Sequence, residues 1–315
     1  MSNYTDKERK ELPMPGKPSL YGRARFFFRR YVVHGRVRIF LQWMFAKFQS
    51  LFIQPTILPY FITFFPYRRT SYSYKLPKTT PRAPGQELPH PPEQLWLGYG
   101  KTIEEYLDSG RRHVDTMRGI LADSGFTFEA GQRVLEMGCA GARMLRCLED
   151  VSDRCEIWGT DISGEHIMWC KQHLTPPFHF CLTTQHAHMP FADAYFDLIY
   201  AASVFTHIDD LADAWILELR RILKPGGRMY ITIHDEHSIR ALTDEQNDNL
   251  VRTLNCRRDY FEKGDYNMFT IGRFMRSQVF YDSEYLSSRW RPFFDVQVHP
   301  GAAGFQTAYL LQKRP

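Results

Sequence analysis

The run Val134-Leu135-Glu136-Met137-Gly138-Cys139-Ala140-Gly141-Ala142-Arg143 constrains the fold more than any other part of the chain. Residues suited to a buried strand lead directly into five small residues, where the backbone can turn sharply and approach another group closely. A strand that ends this way, with a helix after it, is the opening of a βαβ unit in a parallel sheet. From Gly125 onward the same alternation recurs. Strands are expected at Arg133–Gly138, Glu156–Thr160, Phe178–Leu182, Asp197–Ala202 and Arg228–Ile233, and a closing pair at Phe293–Val298 and Phe305–Leu311. Helices are expected at Ala142–Leu148, from an N-cap at Ser163 through His173, and over Leu211–Leu223, the last closed by Pro225-Gly226-Gly227. Thr243 with Gln246 reads as a capping box opening a helix through about Leu254. An earlier helix over Ile103–Ala122 has Gly110 as a candidate break.

Charge divides the chain. Residues 1–75 carry 14 Lys/Arg against 3 Asp/Glu, a net +11, whereas residues 76–315 carry 26 against 32, a net −6. The expected organisation is therefore a mainly helical or irregular basic extension with a proline-rich linker over 1–92, and an α/β, doubly wound domain over 93–315. A mildly acidic domain offers no long phosphate track, so nucleic acid is not the expected partner. Aromatic residues from Phe26 to Phe65 are interleaved with Arg25, Arg29, Arg30, Arg36 and Arg38. That pattern suits packing on the domain or on a second copy in a homo-oligomer, or contact with an anionic membrane surface. Lys47, Gln54 and three prolines interrupt any spanning run. The six cysteines form no close CxxC pair and read as reduced core side chains. Residues 1–20 hold no apolar run before a cleavage-like site, so the expected setting is cytoplasmic, with peripheral membrane contact as its variant.

Asp161 ends the second expected strand, 25 residues after Glu136, where a carboxylate can receive both hydroxyls of a ribose. Turn and acid together suit a nucleoside cofactor. Alone they would equally suit a nicotinamide dinucleotide and an oxidoreductase, or a tight junction with a helix-start acid.

Three further segments narrow the choice: Pro190-Phe191-Ala192-Asp193-Ala194-Tyr195-Phe196-Asp197-Leu198-Ile199-Tyr200, Ser203-Val204-Phe205-Thr206-His207, and Glu218-Leu219-Arg220-Arg221-Ile222-Leu223-Lys224-Pro225-Gly226-Gly227. With the glycine-rich turn they resemble the class I S-adenosylmethionine-dependent methyltransferases, especially the small-molecule group. The resemblance spans approximately residues 99–315, is strongest over 133–234, and leaves the extension unexplained. It implies a Rossmann-like methyltransferase sheet, S-adenosyl-L-methionine as cofactor, and a small-molecule, glycan or lipid-associated acceptor.

The resemblance also assigns cofactor-binding positions. It implies that Glu136 lies near the amino-acid end, that Gly138 gives close backbone access beside Cys139, Ala140 and Gly141, and that Asp161, with Ile162 after it, binds the ribose. Gln185 stands where the family often has an adenine-binding Asp, followed by His186, and Ala202 with Ser203 flank the transfer centre. The family usually keeps glycine at Ala140 and Ala142, so each added methyl narrows the permitted backbone, with Gly141 as compensating flexibility. Those departures motivate a noncatalytic cofactor-binding or membrane scaffold module as the alternative function.

An alcohol acceptor would benefit from a base, and His207 after strand four and His234 after strand five, beside Asp235, are the catalytic candidates. Their bland alternatives are loop orientation and helix capping. His186 and His188 lack companion ligands, so no metal site is expected. Tyr99, Tyr106, Tyr281, Tyr285, Trp290 and Phe305-Gln306 are either acceptor-side residues or core aromatics.

Overall fold

The structure, a computed structural model, describes residues 86–208, 212–243, 266–271 and 277–314, together with Phe40, Met44 and Gly264. The chain divides into two compact units, Met1–Lys75 and Leu76–Pro315. The expectations for the basic extension, including membrane contact and subunit packing, lie outside the described residues, as does all but the first residue of the helix expected from Thr243 to Leu254.

The second unit is built on a seven-stranded sheet. Its strands are β1 (Arg133–Met137), β2 (Glu156–Asp161), β3 (His179–Leu182), β4 (Phe196–Ala201), β5 (Leu223–Ile233), β8 (Phe294–Ala303) and β9 (Gln306–Lys313), in the order β3-β2-β1-β4-β5-β9-β8. The first five pair in parallel, and β9 runs antiparallel between β5 and β8. This is the expected doubly wound α/β sheet, and the strand order reverses at β1, whose neighbours are β2 and β4.

The period of two along the strands builds a core on each face. Val134, Leu198, Tyr200, Tyr230 and Leu310 enter one cluster, while Leu135, Met137, Ile199, Ala201, Met229 and Ile231 enter the other. Helices α1 (Ile103–Asp123) and α2 (Gly164–His173) supply the first face. Helices α3 (Ala212–Ile222) and α5 (Ser283–Trp290) supply the second. Between them in sequence lie α4 (Glu236–Thr243) and a separate hairpin of β6 (Met268–Ile271) with β7 (Gln278–Tyr281), none of which the sequence pattern announced.

Helix α1 starts where Thr102 accepts a hydrogen bond from the Glu105 N–H at 3.3 Å, while the Glu105 carboxylate takes the Lys101 N–H. Its buried stripe of Tyr106, Gly110, Val114, Met117 and Leu121 has helical spacing, and the helix runs unbroken through Gly110. Gly110 is there for packing: a Cβ at this position would stand 2.3 Å from the Arg143 carbonyl oxygen. Below α1, the Arg146 guanidinium donates to the carbonyls of Leu88 and Pro89 at 2.8 Å each, which holds the proline-containing strap against the domain.

Two expectations shift for identifiable reasons. Instead of a helix at Ala142–Leu148, a 3₁₀ turn occupies Leu145–Val151, because Ala142 has φ +59° and cannot enter a right-handed helix. The Lys224-Pro225-Gly226-Gly227 segment is not a clean break but the irregular opening of β5, with Gly226 at φ +75°. Among the described residues no helix is long and apolar enough to cross a membrane.

In an exposed helix, Gly→Ala adds about 1 kcal/mol of stability. Gly110→Ala is expected to reverse that sign, costing roughly 2–4 kcal/mol, because the new methyl meets backbone rather than a side chain that can swing away. Urea denaturation of the two proteins checks it; a stabilised variant would show that α1 is not seated on the Arg143 carbonyl.

Candidate functional site

The turn after β1 is made of alternating left-handed residues: Gly138 at φ +75°, Ala140 at +44° and Ala142 at +59°. The N–H groups of Gly138 and Cys139 donate to the Thr160 carbonyl at 2.7 and 2.9 Å, fastening the turn to the end of β2. The Asp161 carboxylate completes that attachment. Its Oδ2 accepts the Ala140 N–H at 2.8 Å and its Oδ1 the Ser163 N–H at 2.7 Å. Asp161 remains partly exposed, so both oxygens keep lone pairs for a further partner, and the exposed Ile162 side chain stands beside it in sequence.

Small residues serve different neighbours around this turn. A Cβ on Gly138 would stand 2.4 Å from Val204 Cγ2, so this glycine admits the loop after β4. One on Gly141 would stand 2.9 Å from the Tyr106 hydroxyl oxygen. Cys139 is buried beneath the turn, with its thiol and that of Cys170 both directed to the Ala140 carbonyl.

Glu136, at the end of β1, is 4% exposed. Burial pushes its carboxyl up to about 8 from the usual 4.5, against the opposing influence of the Tyr200 hydroxyl, which donates to Oε2 at 3.1 Å, and of Arg143. Arg143 is also buried. Its guanidinium lies over the Tyr99 ring at 4.1 Å from the centroid and reaches Ser109 Oγ at 3.3 Å and His113 Nδ1 at 3.1 Å. Since a guanidinium only donates, His113 Nδ1 is the acceptor, which leaves its proton on Nε2. Burial, reinforced by the charges of Arg143 and Arg112, pulls His113 down to about 4.

A second polar group spans the ends of β4, β5 and β9. Gln306 Oε1 accepts from Ser203 Oγ at 3.0 Å and from Thr232 Oγ1 at 2.7 Å, and Thr232 Oγ1 itself accepts the Ser203 N–H at 2.7 Å. The Gln306 amide nitrogen faces His234 Nε2 at 3.2 Å, so that ring nitrogen accepts. His234 is 2% exposed, stacked on Phe280, and pulled down to about 3 by burial with a smaller push from His207. His207 is exposed and its Nδ1–H donates to the Ser277 carbonyl at 2.7 Å, leaving Nε2 with a lone pair.

The structure thus gathers the turn with Glu136 and Asp161, and separately Ser203, Thr232, Gln306 and His234. Gln185 and His186 lie exposed in the segment after β3. Among the earlier aromatic candidates, Tyr106, Tyr281 and Trp290 are buried in the fold. Sequence reading passed over His113, the polar neighbour of Val114 on the buried side of α1, and Thr232, which continues the period-two series Tyr230-Thr232-His234. Among the described residues no cluster of His, Cys, Asp or Glu could hold a metal ion.

Residues 135–231, spanning β1 to β5, match the methyltransferase domain family. The match takes in 97 of the 315 residues, the stretch that carries the glycine-rich turn and the first five strands. The resemblance of this stretch implies S-adenosyl-L-methionine as cofactor and methyl transfer as activity. Solved structures similar to the chain include a Pyrococcus horikoshii protein at 17% identity, covering 65% of this chain and 91% of that one, with a TM-score of 0.48. An S-adenosylmethionine-dependent methyltransferase of Clostridium acetobutylicum is 12% identical over 65% of this chain and 92% of its own, with a TM-score of 0.46. The N-methyltransferase NodS of Bradyrhizobium japonicum, solved with S-adenosyl-L-homocysteine, is 17% identical over 65% and 86%, with a TM-score of 0.41.

The residues present fit such a cofactor. A partly exposed carboxylate with free lone pairs suits a diol, and the exposed face of Ile162 suits a flat base.

Glu136 carries a stability consequence whose sign follows from its raised value. Below pH 4.5 the acid is protonated in both folded and unfolded chains, so its contribution is complete. Between 4.5 and about 8 the unfolded chain loses the proton while the folded one keeps it, and stability falls by up to roughly 1.4 kcal/mol per pH unit. Histidines 113 and 234, both pulled down, act in the opposite direction, so the stability difference between Glu136→Gln and wild type isolates the acid. Urea midpoints without cofactor should show the variant gaining on wild type from pH 5 to 8; a constant difference would mean an ordinary carboxyl.

The two left-handed alanines carry strain of about 1–2 kcal/mol each. Ala140→Gly, at a partly exposed position, should recover most of a kilocalorie after the added backbone freedom is subtracted. Thermal melts check this, and a lower melting temperature would contradict the left-handed assignment.

Proposed function

We propose that this chain transfers the methyl group of S-adenosyl-L-methionine to a small-molecule, glycan or lipid-associated acceptor, with the turn 138–142 and Asp161 as the cofactor cradle. The observation that carries the reading is the double use of Asp161, which fixes the turn through Ala140 and the α2 entrance through Ser163 while both oxygens retain lone pairs. In this reading Asp161 holds the two ribose hydroxyls, Ile162 lies against the adenine, and Gln185 with His186 supply polar contacts at the base edge. Glu136 pairs with the ammonium of the methionine portion, and Cys139, Ala140 and Gly141 keep the backbone close while Ala202 and Ser203 border the reacting end.

When bound, the cofactor supplies an electrophilic methyl on a sulfonium. The protein's part is orientation and exclusion of water. His234 cannot serve as a proton acceptor in this arrangement: Gln306 occupies its Nε2, and its burial opposes charge. His207 is the better base for an acceptor that must lose a proton, because the Ser277 carbonyl takes its Nδ1–H and leaves Nε2 as the nitrogen that would receive the proton.

Calorimetry with S-adenosyl-L-homocysteine tests the cradle. Asp161→Ala removes the ribose acceptor and the tie to Ala140 together, so affinity should fall at least about a hundredfold, two charge-assisted hydrogen bonds being worth roughly 3 kcal/mol or more. Asp161→Asn, which keeps one carbonyl acceptor, should lose less. Equal binding by all three proteins would sink the ribose role. Tight binding without transfer of tritiated methyl to any component of a cell extract would favour the noncatalytic alternative that the two alanines raise.

A further inference from the structure

Gly141, in the turn after β1, is buried, and part of what buries it is the chain segment that precedes α1. A Cβ on Gly141 would stand 3.2 Å from the Leu95 carbonyl oxygen and 3.5 Å from Pro91 Cβ. The proline-containing strap, residues 88–96, therefore crosses the turn at van der Waals distance. Its Leu88, Pro91 and Leu95 are buried, while Pro92, Glu93 and Gln94 are exposed. The two ends of the cradle differ accordingly: Asp161 is partly exposed and Ile162 exposed, whereas Gly141 and Glu136 are covered.

The strap is held in a way that lets it lift as one piece. Pro89, Pro91 and Pro92 have a fixed φ and no N–H, so the segment stays extended and cannot join a strand ladder in full. The backbone bonds of Leu95 to Pro92 and of Trp96 to Glu93 lie within it and survive any movement of the whole. Side-chain donors on strap carbonyls fasten it to the domain. At one end Arg146 holds the carbonyls of Leu88 and Pro89, and at the other His166 Nε2–H donates to the Leu95 carbonyl at 3.3 Å. Trp96 adds a stack on Tyr106. Closure also has a cost, because Arg146 Nη1 and the Tyr106 hydroxyl are buried with no hydrogen-bond partner among the described residues. That penalty offsets part of what the fastening bonds contribute. His166 further ties the strap to Asp161: its Nδ1 shares a hydrogen bond with Ser163 Oγ at 2.7 Å, and the Ser163 N–H donates to Asp161.

We propose that residues 88–96 are a lid latched over the turn by Arg146 and His166, and that a nucleoside cofactor enters and leaves by lifting it. The inference rests on the cradle reading of the turn and Asp161, and adds to it the gate to the covered end. A ligand lying from Asp161 to Glu136 must pass the line that Pro91 and Leu95 draw over Gly141. Tyr106, the other neighbour of Gly141, belongs to the packed stripe of α1, whereas the strap is freed by breaking its latches. The same bonds reclose over a seated ligand, so they govern the rates of exchange more than the affinity. Arg146 and His166 are positioning residues, acting through the strap.

The test uses the full chain with S-adenosyl-L-homocysteine, following association and dissociation by stopped-flow fluorescence and the strap by hydrogen exchange of its Leu95 and Trp96 amides. In the wild type, ligand should slow exchange of both amides. Arg146→Met and His166→Phe should speed that exchange and raise the association and dissociation rates together, roughly three- to tenfold for each hydrogen bond lost, with the dissociation constant little changed. His166→Gln, which keeps an N–H for the Leu95 carbonyl, should stay near wild type. Leu88→Ala loosens the strap from its own side and should act like the latch variants without altering α2. A merely structural role would raise dissociation alone with a matching loss of affinity, and that result overturns the lid. So do unchanged rates, or strap amides that exchange equally fast with and without ligand. Failure of the wild type to bind S-adenosyl-L-homocysteine overturns the cofactor reading and the lid with it, whereas binding with unchanged rates overturns the lid alone.

Discussion

The hydrogen bonds of Asp161 join parts of the domain that sequence keeps apart. One carboxylate oxygen holds the Ala140 N–H in the turn after β1, and the other holds the Ser163 N–H at the entrance to α2. That bond holds Ala140 at a positive φ that nothing in an alanine side chain favours. The backbone of Thr160 adds two more bonds to the same turn. A charged acceptor is well suited to this task, since its bonds to N–H groups are stronger than those of a neutral amide. The brace also fixes where the edge of the sheet is open, because the reversal of strand order beside β1 leaves the crevice at that turn.

How much of this was legible in the sequence depended on the range of the interaction involved. The parallel strands were legible because each is a short apolar run whose alternate residues enter opposite cores, as Val134 and Leu135 do. The end of β2 at Asp161 was legible because an acid after an apolar run is a local signal. What failed were positions decided by backbone conformation or by distant partners. The pattern Ala142–Leu148 has helical composition, yet the left-handed Ala142 displaces the helical turn to Leu145–Val151. Gly110 looked like a helix break because propensity is local, whereas its role is set by the carbonyl of Arg143, far along the chain. The hairpin of β6 and β7 is short and largely exposed on β6, and carries little periodic signal.

The polar network at the β4–β5–β9 edge was only half visible for the same reason. Gln306 stood out at the start of the last strand, but its contacts depend on that strand being antiparallel to β5, which brings it to Thr232 across 74 residues of chain and to Ser203 across 103. Burying an amide, two hydroxyls and an imidazole is costly unless each finds a partner, and here each group is bonded to another, with His234 Nδ1 left as the buried atom without a partner among the described residues. The consequence is rigidity. Ser203 cannot leave its left-handed conformation without breaking bonds to both Thr232 and Gln306, so the segment after β4 is held from the strands beside it.

Three histidines near this edge show how neighbours, rather than residue type, decide what an imidazole can do. His113 has a guanidinium on Nδ1, His234 an amide nitrogen on Nε2, and His207 a carbonyl on Nδ1. A cation or amide donor consumes a lone pair, while a carbonyl consumes a proton. The first two rings are therefore left as neutral donors on the opposite nitrogen, and burial reinforces this by pulling His113 to about 4 and His234 to about 3. His207 alone retains a free lone pair, and it is the exposed one. Of these three rings, only His207 has a nitrogen placed to take up a proton, while the other two can do no more than orient. Because transfer from a sulfonium needs only an available lone pair on the acceptor, an edge built mainly to orient is chemically sufficient for a substrate that is already nucleophilic when neutral.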